Sequence, residues 1–370
     1  MRSLQGLLFL SFFKNLEANV LQGDVKLQIM DSSILLDYLK KLYPDHQDLK
    51  VHNLKNITSG WETEIESFDL EWTTDDHKVS QGLVVRIFPG KGAARKAENE
   101  FRIMKELQTL KYPVPTVYIV ETNESIIGNP FIIMDRIEGG TIEDRIGHSI
   151  EKRAYWLDVM CELAVDLHSR EWSSLVTESE RKLFEDPHYI VRTTLSTYRE
   201  LLEQTNALVL LPIVEWLEMN VESVPCTKPS IIHGDFHPMN VLLDENDIPY
   251  VIDWGAARVH DSRADLAWSL LLYLAYGSKE NRDDLLHRYE SSLGRSVEYI
   301  EYFEVLACLR RLHDIYSSIN EGSDEIGLRP EAVQMMKESV THIINVRNRL
   351  KELTGIVIPS VDAMIEKLSQ

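Results

Sequence analysis

Apolar residues return every three or four positions at Ile34, Leu35, Tyr38, Leu39 and Leu42, just behind the capping types Asp31, Ser32 and Ser33. That spacing predicts an amphipathic helix over 30–43. From 51 onward the period falls towards two. Runs at 54–59, 64–72 and 82–88, the first two separated by the turn Ser59-Gly60-Trp61-Glu62-Thr63, predict three strands. Residues 91–96 then lead into a helix whose one face holds Glu100, Ile103, Met104 and Leu107, a lone carboxylate among core residues. Two more runs, 114–120 after a proline stop and 130–134, read as strands, and the second runs out into Gly139-Gly140. Past Thr141 the helical period takes over, at 149–170, 188–206, 211–221, a strongly apolar segment from 261, 279–292, 297–319, 330–353 and 361–368. A strand-rich first third followed by helices is an α+β pattern.

Composition narrows the class. The 370 residues suffice for two domains or one two-lobed unit, and 44% apolar content supports a sizeable core. A net charge of −20 argues against general binding to nucleic acid or to anionic membranes and is compatible with a cationic substrate. Glu200, Glu203, Glu215, Glu218 and Glu222 are candidate contacts for such a cation, although a charge run is usually a solvated face. Cys161, Cys226 and Cys308 are far apart, with neither metal-ligand nor disulfide spacing, which points to a reducing compartment. The apolar run at 7–13 is too short to cross a bilayer, and no small-residue cleavage site follows it. A cytoplasmic location is therefore expected.

The candidate chemistry is concentrated in 230–254, Ser-Ile-Ile-His233-Gly-Asp235-Phe-His237-Pro-Met-Asn240-Val-Leu-Leu-Asp-Glu-Asn-Asp-Ile-Pro-Tyr-Val-Ile-Asp253-Trp. Two short β-prone runs around turn formers at 244–247 read as a hairpin. If it is symmetric about the Asn246–Asp247 bond, Val241 pairs with Ile252 and Asn240 lies opposite Asp253, with Cβ atoms roughly 5 Å apart. Asp235 precedes them on the loop that feeds the hairpin. Two carboxylates and an amide oxygen suit a hard cation that keeps water and phosphate oxygens in its shell, as Mg²⁺ does. The order Asp, Asn five residues later, then Asp after a hairpin also fits the phosphoryl-transfer template. Asx residues that merely satisfy a turn would explain one of these positions at a time, not three at matched spacing.

His-Gly-Asp-Phe-His-Pro-Met-Asn-Val-Leu, from His233, and Val-Ile-Asp-Trp-Gly, from Val251, resemble the catalytic and metal motifs of the aminoglycoside phosphotransferase family. That family belongs to the protein-kinase-like superfamily, with choline and fructosamine kinases as relatives. The resemblance covers most of 51–275. It implies a two-lobed protein-kinase-like fold: a small, β-rich, nucleotide-binding N-lobe over 30–134 and a larger, mostly helical C-lobe over 135–370. The C-lobe would carry the catalytic loop, the metal site and the substrate-binding helices. Residues 1–29 precede the matching pattern and read as an N-terminal extension.

The resemblance also implies roles. ATP and Mg²⁺ are the expected cofactors. Asp235 is the catalytic base or orienter, Asn240 and Asp253 are metal ligands, and His233 shapes the loop. Ser59 and Gly60 lie in the turn that covers the nucleotide phosphates. Arg86 stands where the template has a phosphate-binding lysine, and a guanidinium can pair with phosphate in bidentate fashion. The alternative for Arg86 is a solvent-facing strand arginine. Glu100 is the partner of that cation. Glu98 is the rival, with i,i+4 pairing to Arg102 making it a plain surface residue. Backbone groups of Asp135 and Ile137 meet the adenine edge, and Met134 either floors that pocket or fills the core. Asp265 braces the catalytic loop, and Leu167-His168 is assigned to packing.

The implied activity is transfer of the ATP γ-phosphate to a hydroxyl of a small molecule. An aminoglycoside-like or other amine-bearing alcohol comes first, because a polycation suits an acidic protein. Choline-like compounds, sugars and other antibiotics stay open. One rival is a nucleotide-binding pseudokinase, against which intact Asp235, Asn240 and Asp253 count. A protein kinase is the other, disfavoured by Trp254 and by the absence of an Ala-Pro-Glu segment after Asp253. No nucleic-acid or membrane partner is expected, and the oligomeric state is not legible.

Overall fold

The computed structural model describes residues 31–57, 63–74, 77–147, 150–320 and 340–369. They form two units: 31–140 with Val241–Gly255, and Thr141–Asn240 with 256–369.

The first unit opens with α1, Ser32–Leu42, whose start is fixed by the Asp31 carboxylate accepting from the Ser33 N–H at 2.8 Å. Its apolar stripe, Leu35, Tyr38 and Leu39, is buried in a core with Phe68, Val85, Phe131 and Ile133. That core lies on an antiparallel sheet of β1 (Gln47–Asn56), β2 (Glu64–Thr74), β3 (His77–Ile87), β4 (Val117–Glu121) and β5 (Phe131–Asp135), in the order β1-β2-β3-β5-β4. The first strand starts at Gln47 rather than at 54. Irregularities between Gln47 and Lys50 and between His52 and Lys55, with positive φ at Asp48 and Asn53, break the alternation that sequence reading relies on. Helix α2, Ala93–Thr109, buries Glu100 beside Ile103, Met104 and Leu107. The turn with Ser59 and Gly60 lies outside the described residues.

The hairpin of β7 (Val241–Leu243) and β8 (Pro249–Val251) packs with this unit, although it was expected within the 135–370 lobe. Its register is one residue away from the symmetric expectation. Val241 pairs with Val251, not Ile252, so the argument that set Asn240 opposite Asp253 falls with it. The cause is the turn. The Asp244 carboxylate accepts from the N–H groups of both Asn246 and Ile248 at 2.8 Å, and Asp247 adopts φ +59. An odd loop with one left-handed residue replaces the even one. The hairpin is anchored by the Val251 N–H on the Pro113 carbonyl and by buried Trp254, edge-on to Tyr112.

The second unit is mostly helical: α3 (Ile142–Ile146), α4 (Ile150–Ser169), α5 (Glu178–Leu183), α6 (Tyr189–Gln204), α7 (Leu211–Asn220), α8 (Ser262–Ala275), α9 (Lys279–Leu293), α10 (Ile300–Asn320), α11 (Val340–Thr354) and α12 (Pro359–Leu368). Of the helix expected over 330–353, residues 330–339 lie outside the described set. Helix α8 is buried from Asp265 to Ala275, a mostly apolar run in which Asp265 and Ser269 are hydrogen-bonded. Arg282, Glu304 and Arg349 form a buried ion-pair network joining α9, α10 and α11. Two three-residue strands, β6 (Ser230–Ile232) and β9 (Arg258–His260), pair antiparallel. Strand β9 was not anticipated, because three residues carry no readable period. All three cysteines are buried and unbridged, and no helix among the described residues is long and apolar enough to cross a membrane.

Candidate active site

In the first unit, Arg86 lies next to the C-terminal end of β3, flanked by Ile65 on β2 and Ile132 on β5. Its Nε lies 3.3 Å from Glu100 Oε1 on α2, and its Nη2 donates to Asp253 Oδ1 at 2.6 Å. It is buried, not a solvent-facing strand arginine, whereas Glu98 is exposed. The two partners differ. The Glu100 side chain is 1% exposed and that of Asp253 is 42% exposed. A guanidinium is thus held from the buried side, while a carboxylate reaches solvent on the other. Asp253 itself has φ +66, a left-handed conformation that Asp tolerates better than most residues, just past the end of β8.

Met134 is buried in β5 between Val84 and Val117. The Asp135 N–H is taken by the Thr116 carbonyl at 2.9 Å, and its carboxylate accepts from Gln81 and Tyr118. Of its backbone groups, the carbonyl rather than the N–H is what Asp135 can offer a base edge. Ile137 follows just past the end of β5, partly exposed. Next comes Gly139, with φ +151, where a Cβ would fall 1.8 Å from the Leu243 carbonyl oxygen. Only glycine lets this segment pass β7, whose Leu243 N–H bonds the Gly140 carbonyl.

In the second unit, β6 ends at the loop that bears Asp235. Buried Asp265, in the first turn of α8, accepts from the His233 N–H at 2.9 Å and the Gly234 N–H at 2.8 Å. It also contacts His168 Nε2 at 3.0 Å, and His168 Nδ1 meets the Tyr289 hydroxyl at 2.7 Å. One carboxylate therefore fixes two successive amides of the loop, and a histidine–tyrosine chain fixes the carboxylate. Burial works to raise the Asp265 pKa, but His168 and His233 outweigh it and the net direction is downward. Gly234 has φ +83, and a Cβ there would sit 2.6 Å from the Ala256 carbonyl oxygen.

Asp235 is presented by this braced turn. Its N–H donates to His233 Nδ1 at 3.2 Å, which ties the imidazole into the loop. Its Oδ1 accepts from the Trp268 indole N–H at 2.6 Å, and its Oδ2 is 3.5 Å from His237 Nε2. Arg310 lies with Cζ 3.8 Å from the Trp268 ring centroid and donates to the Gly234 carbonyl. Burial pushes the Asp235 carboxyl up, but His237, Arg310 and the Trp268 N–H together hold it well below the usual carboxylate range. A third of the side chain still reaches solvent, 33%. Asn240 Nδ2 donates to the Asp235 carbonyl at 2.9 Å and lies 3.2 Å from His237 Nε2. With its nitrogen committed, the oxygen is the group Asn240 can give a cation.

Sequence reasoning missed Trp268, His237 and Arg310. Trp268 follows Asp265 by three residues, hence on the same helix face, and that spacing was a usable signal. Arg310 lies far along the chain and had none. The acidic contacts proposed for a cation fare differently. Glu218 pairs with Arg199 at 2.7 Å, Glu222 pairs with Arg192, and Glu200, Glu203 and Glu215 are exposed on α6 and α7. The charged groups acting on Asp235 are basic instead.

The family model that matches is the phosphotransferase enzyme family (APH), over residues 64–315. The chain belongs to this family. Its fold is the protein-kinase-like one of solved phosphotransferases, a β-rich unit plus a mostly helical one. A Ralstonia eutropha protein assigned as an aminoglycoside phosphotransferase is similar over 92% of this chain and 98% of its own, with a TM-score of 0.59 at 17% identity. Spectinomycin phosphotransferase APH(9)-Ia, solved with ADP and spectinomycin, is similar over 89% and 100%, with a TM-score of 0.54 at 14% identity. Mouse acyl-CoA dehydrogenase family member 10 is 29% identical over 185 residues, which is 49% of this chain and 17% of that protein. The family member described here thus matches less than a fifth of that relative's length.

Proposed function

We propose that this member of the phosphotransferase enzyme family moves the γ-phosphoryl group of ATP onto a hydroxyl of a small molecule. The observation that carries the reading is the state of Asp235, an ionised carboxylate held by Trp268 and His237, with Asn240 tied to its backbone. Such a carboxylate accepts a hydrogen bond from the acceptor hydroxyl and aims its oxygen. Being a weak base, it takes the proton only late, as the new O–P bond forms.

The other roles follow from donor chemistry. Arg86 would pair with the nucleotide phosphates while Glu100 fixes its guanidinium from the buried side. The Asn240 amide oxygen and the exposed Asp253 carboxylate are hard donors that fit Mg²⁺. Mg²⁺, when bound, neutralises charge on phosphoryl oxygens. The Asp135 carbonyl and the Ile137 backbone would meet the adenine edge beside Met134, and Ser59 with Gly60 would close over the phosphates. Unbridged buried cysteines suit a cytoplasmic setting.

A second reading, an aminoglycoside-like or other amine-bearing acceptor, is favoured by the names of the structural neighbours. Of the five glutamates that first suggested it, Glu218 and Glu222 are paired with arginines and the other three are exposed on α6 and α7. The test is ADP release by the full chain with Mg²⁺ and ATP against a panel of alcohols. Acceptor-dependent release is expected, and Asp235→Asn should lower kcat by roughly 10²–10⁴ with nucleotide affinity kept. Nucleotide binding without turnover on any acceptor would favour the pseudokinase.

A further inference from the structure

Two guanidinium groups near Asp235 have no assigned contact with nucleotide or acceptor in the chemistry above. Arg258 opens β9 and pairs across strands with Ile232, the residue before His233. Its Nη1 donates to the Ala256 carbonyl at 2.9 Å. Arg310 donates to the Gly234 carbonyl from the other side. The Gly234 and Ala256 segments are themselves in close approach, since a Cβ on Gly234 would lie 2.6 Å from the Ala256 oxygen. Arg310 therefore rests on the carbonyl of the residue before Asp235, and Arg258 on the carbonyl of a residue packed close to that one.

Neither forms an ion pair with a carboxylate among the described residues. Arg199, Arg263, Arg282, Arg288 and Arg349 of the same unit each do. The like charges of the pair repel, and the charges of Asp235 on Arg310 and of Asp265 on Arg258 offset this only from beyond ion-pair distance. Arg258 is exposed, and Arg310 is partly buried. Desolvation by the surrounding protein, then the like charge of Arg310, moves the Arg258 pKa down. Tyr198 on α6 faces the same pair. Burial pushes its hydroxyl up to about 12, which keeps it a hydrogen-bond donor. Two nearby carboxylates have direct partners elsewhere, Asp265 in His168 and Asp235 in Trp268, and reach the arginines through their charge alone.

Resting on the phosphotransferase reading, we propose that Arg258 and Arg310 bind an oxyanion, carboxylate or phosphate, carried by the acceptor, and so select an anionic alcohol over an amine. The guanidinium forks match either group. An anion seated there neutralises the pair and places a hydroxyl of the same molecule within reach of Asp235.

The test uses the full chain saturated with AMP-PNP and Mg²⁺ and four probes on one carbon skeleton: glycerate, glycerol 3-phosphate, glycerol and 3-amino-1,2-propanediol. Calorimetry should find an anionic probe bound roughly 10- to 100-fold more tightly than the neutral and amine probes, the range of a charge-assisted hydrogen bond. The tighter of the two anions identifies the group. Arg258→Gln should abolish the preference, Arg258→Lys should restore part of it, and AMP-PNP affinity should hold in both. Equal affinity for all four probes, or preference for the amine, overturns the proposal. So does anion binding that occurs without nucleotide and vanishes with AMP-PNP, which would assign the arginines to the γ-phosphate. If AMP-PNP itself fails to bind, the phosphotransferase reading fails, and the same comparison on the nucleotide-free chain still decides whether the pair takes an anion.

Discussion

The indole N–H of Trp268 donates to Asp235 Oδ1 at 2.6 Å, while Arg310 lies over the indole ring. Trp268→Phe keeps the ring and removes the donor. Burial then opposes the charge on Asp235 with less resistance, so its carboxyl rises from its depressed value towards the ordinary one. The acidic limb of the kcat/KM profile should move to higher pH. A hydrogen bond to a charged group is worth about 1.5–3 kcal/mol, so activity near neutrality should also fall. A profile superimposable on that of the wild type would count against this role for Trp268.

Asp253 offers an exposed carboxylate anchored by Arg86. Asp253→Ala should remove the part of nucleotide affinity that depends on Mg²⁺ and spare metal-free binding. A magnesium titration followed by calorimetry reads this directly. Equal Mg·ATP affinity in mutant and wild type would exclude the carboxylate as a ligand.

Asp265 receives two loop amides and His168 in a fully buried setting. Asp265→Asn leaves the partners of a buried charge uncompensated, a loss of about 3–5 kcal/mol. Its folded pKa is depressed, so the stabilisation is present above the unfolded carboxylate value, about 3.9, and is lost as pH falls through the lower folded value. Denaturant midpoints should show the largest gap between wild type and mutant near pH 7 and a shrinking gap below pH ~4. A gap independent of pH would mean that the carboxylate charge is not what stabilises.

Gly139 passes β7 where a Cβ would fall 1.8 Å from the Leu243 carbonyl oxygen. Gly139→Ala should destabilise by at least ~1–3 kcal/mol, the usual cost of overpacking. Thermal unfolding of the full chain measures it. A neutral effect would show that the segment can move away from the hairpin.

Much of the fold was legible because long elements average over local irregularity. Helix α1 lies within one or two residues of its expected bounds, because five apolar residues on one stripe and an Asp cap agree. The buried Glu100 was visible as a lone charge on an apolar face. Strand β1 was cut short because two irregularities shift the alternation. The register of the β7–β8 hairpin was missed because it turns on hydrogen bonds from one side chain, that of Asp244.

The chain by itself determined which oxygens are available: Asp235, Asn240 and Asp253 with matched spacing, inside the motifs that mark the phosphotransferase family. Residue type and spacing suffice to list such donors, whereas the register of the hairpin between Asn240 and Asp253 was not readable from them. The charge around Asp235 was decided only in three dimensions. Composition alone suggested an acidic surround. Yet Trp268 and Arg310 come from two helices and Arg258 from a strand too short to read, and two of the five glutamates, Glu218 and Glu222, spend their charge on arginines. Net charge sums over the whole chain, whereas a reacting group responds to the few charges within several ångströms, and these are set by tertiary packing.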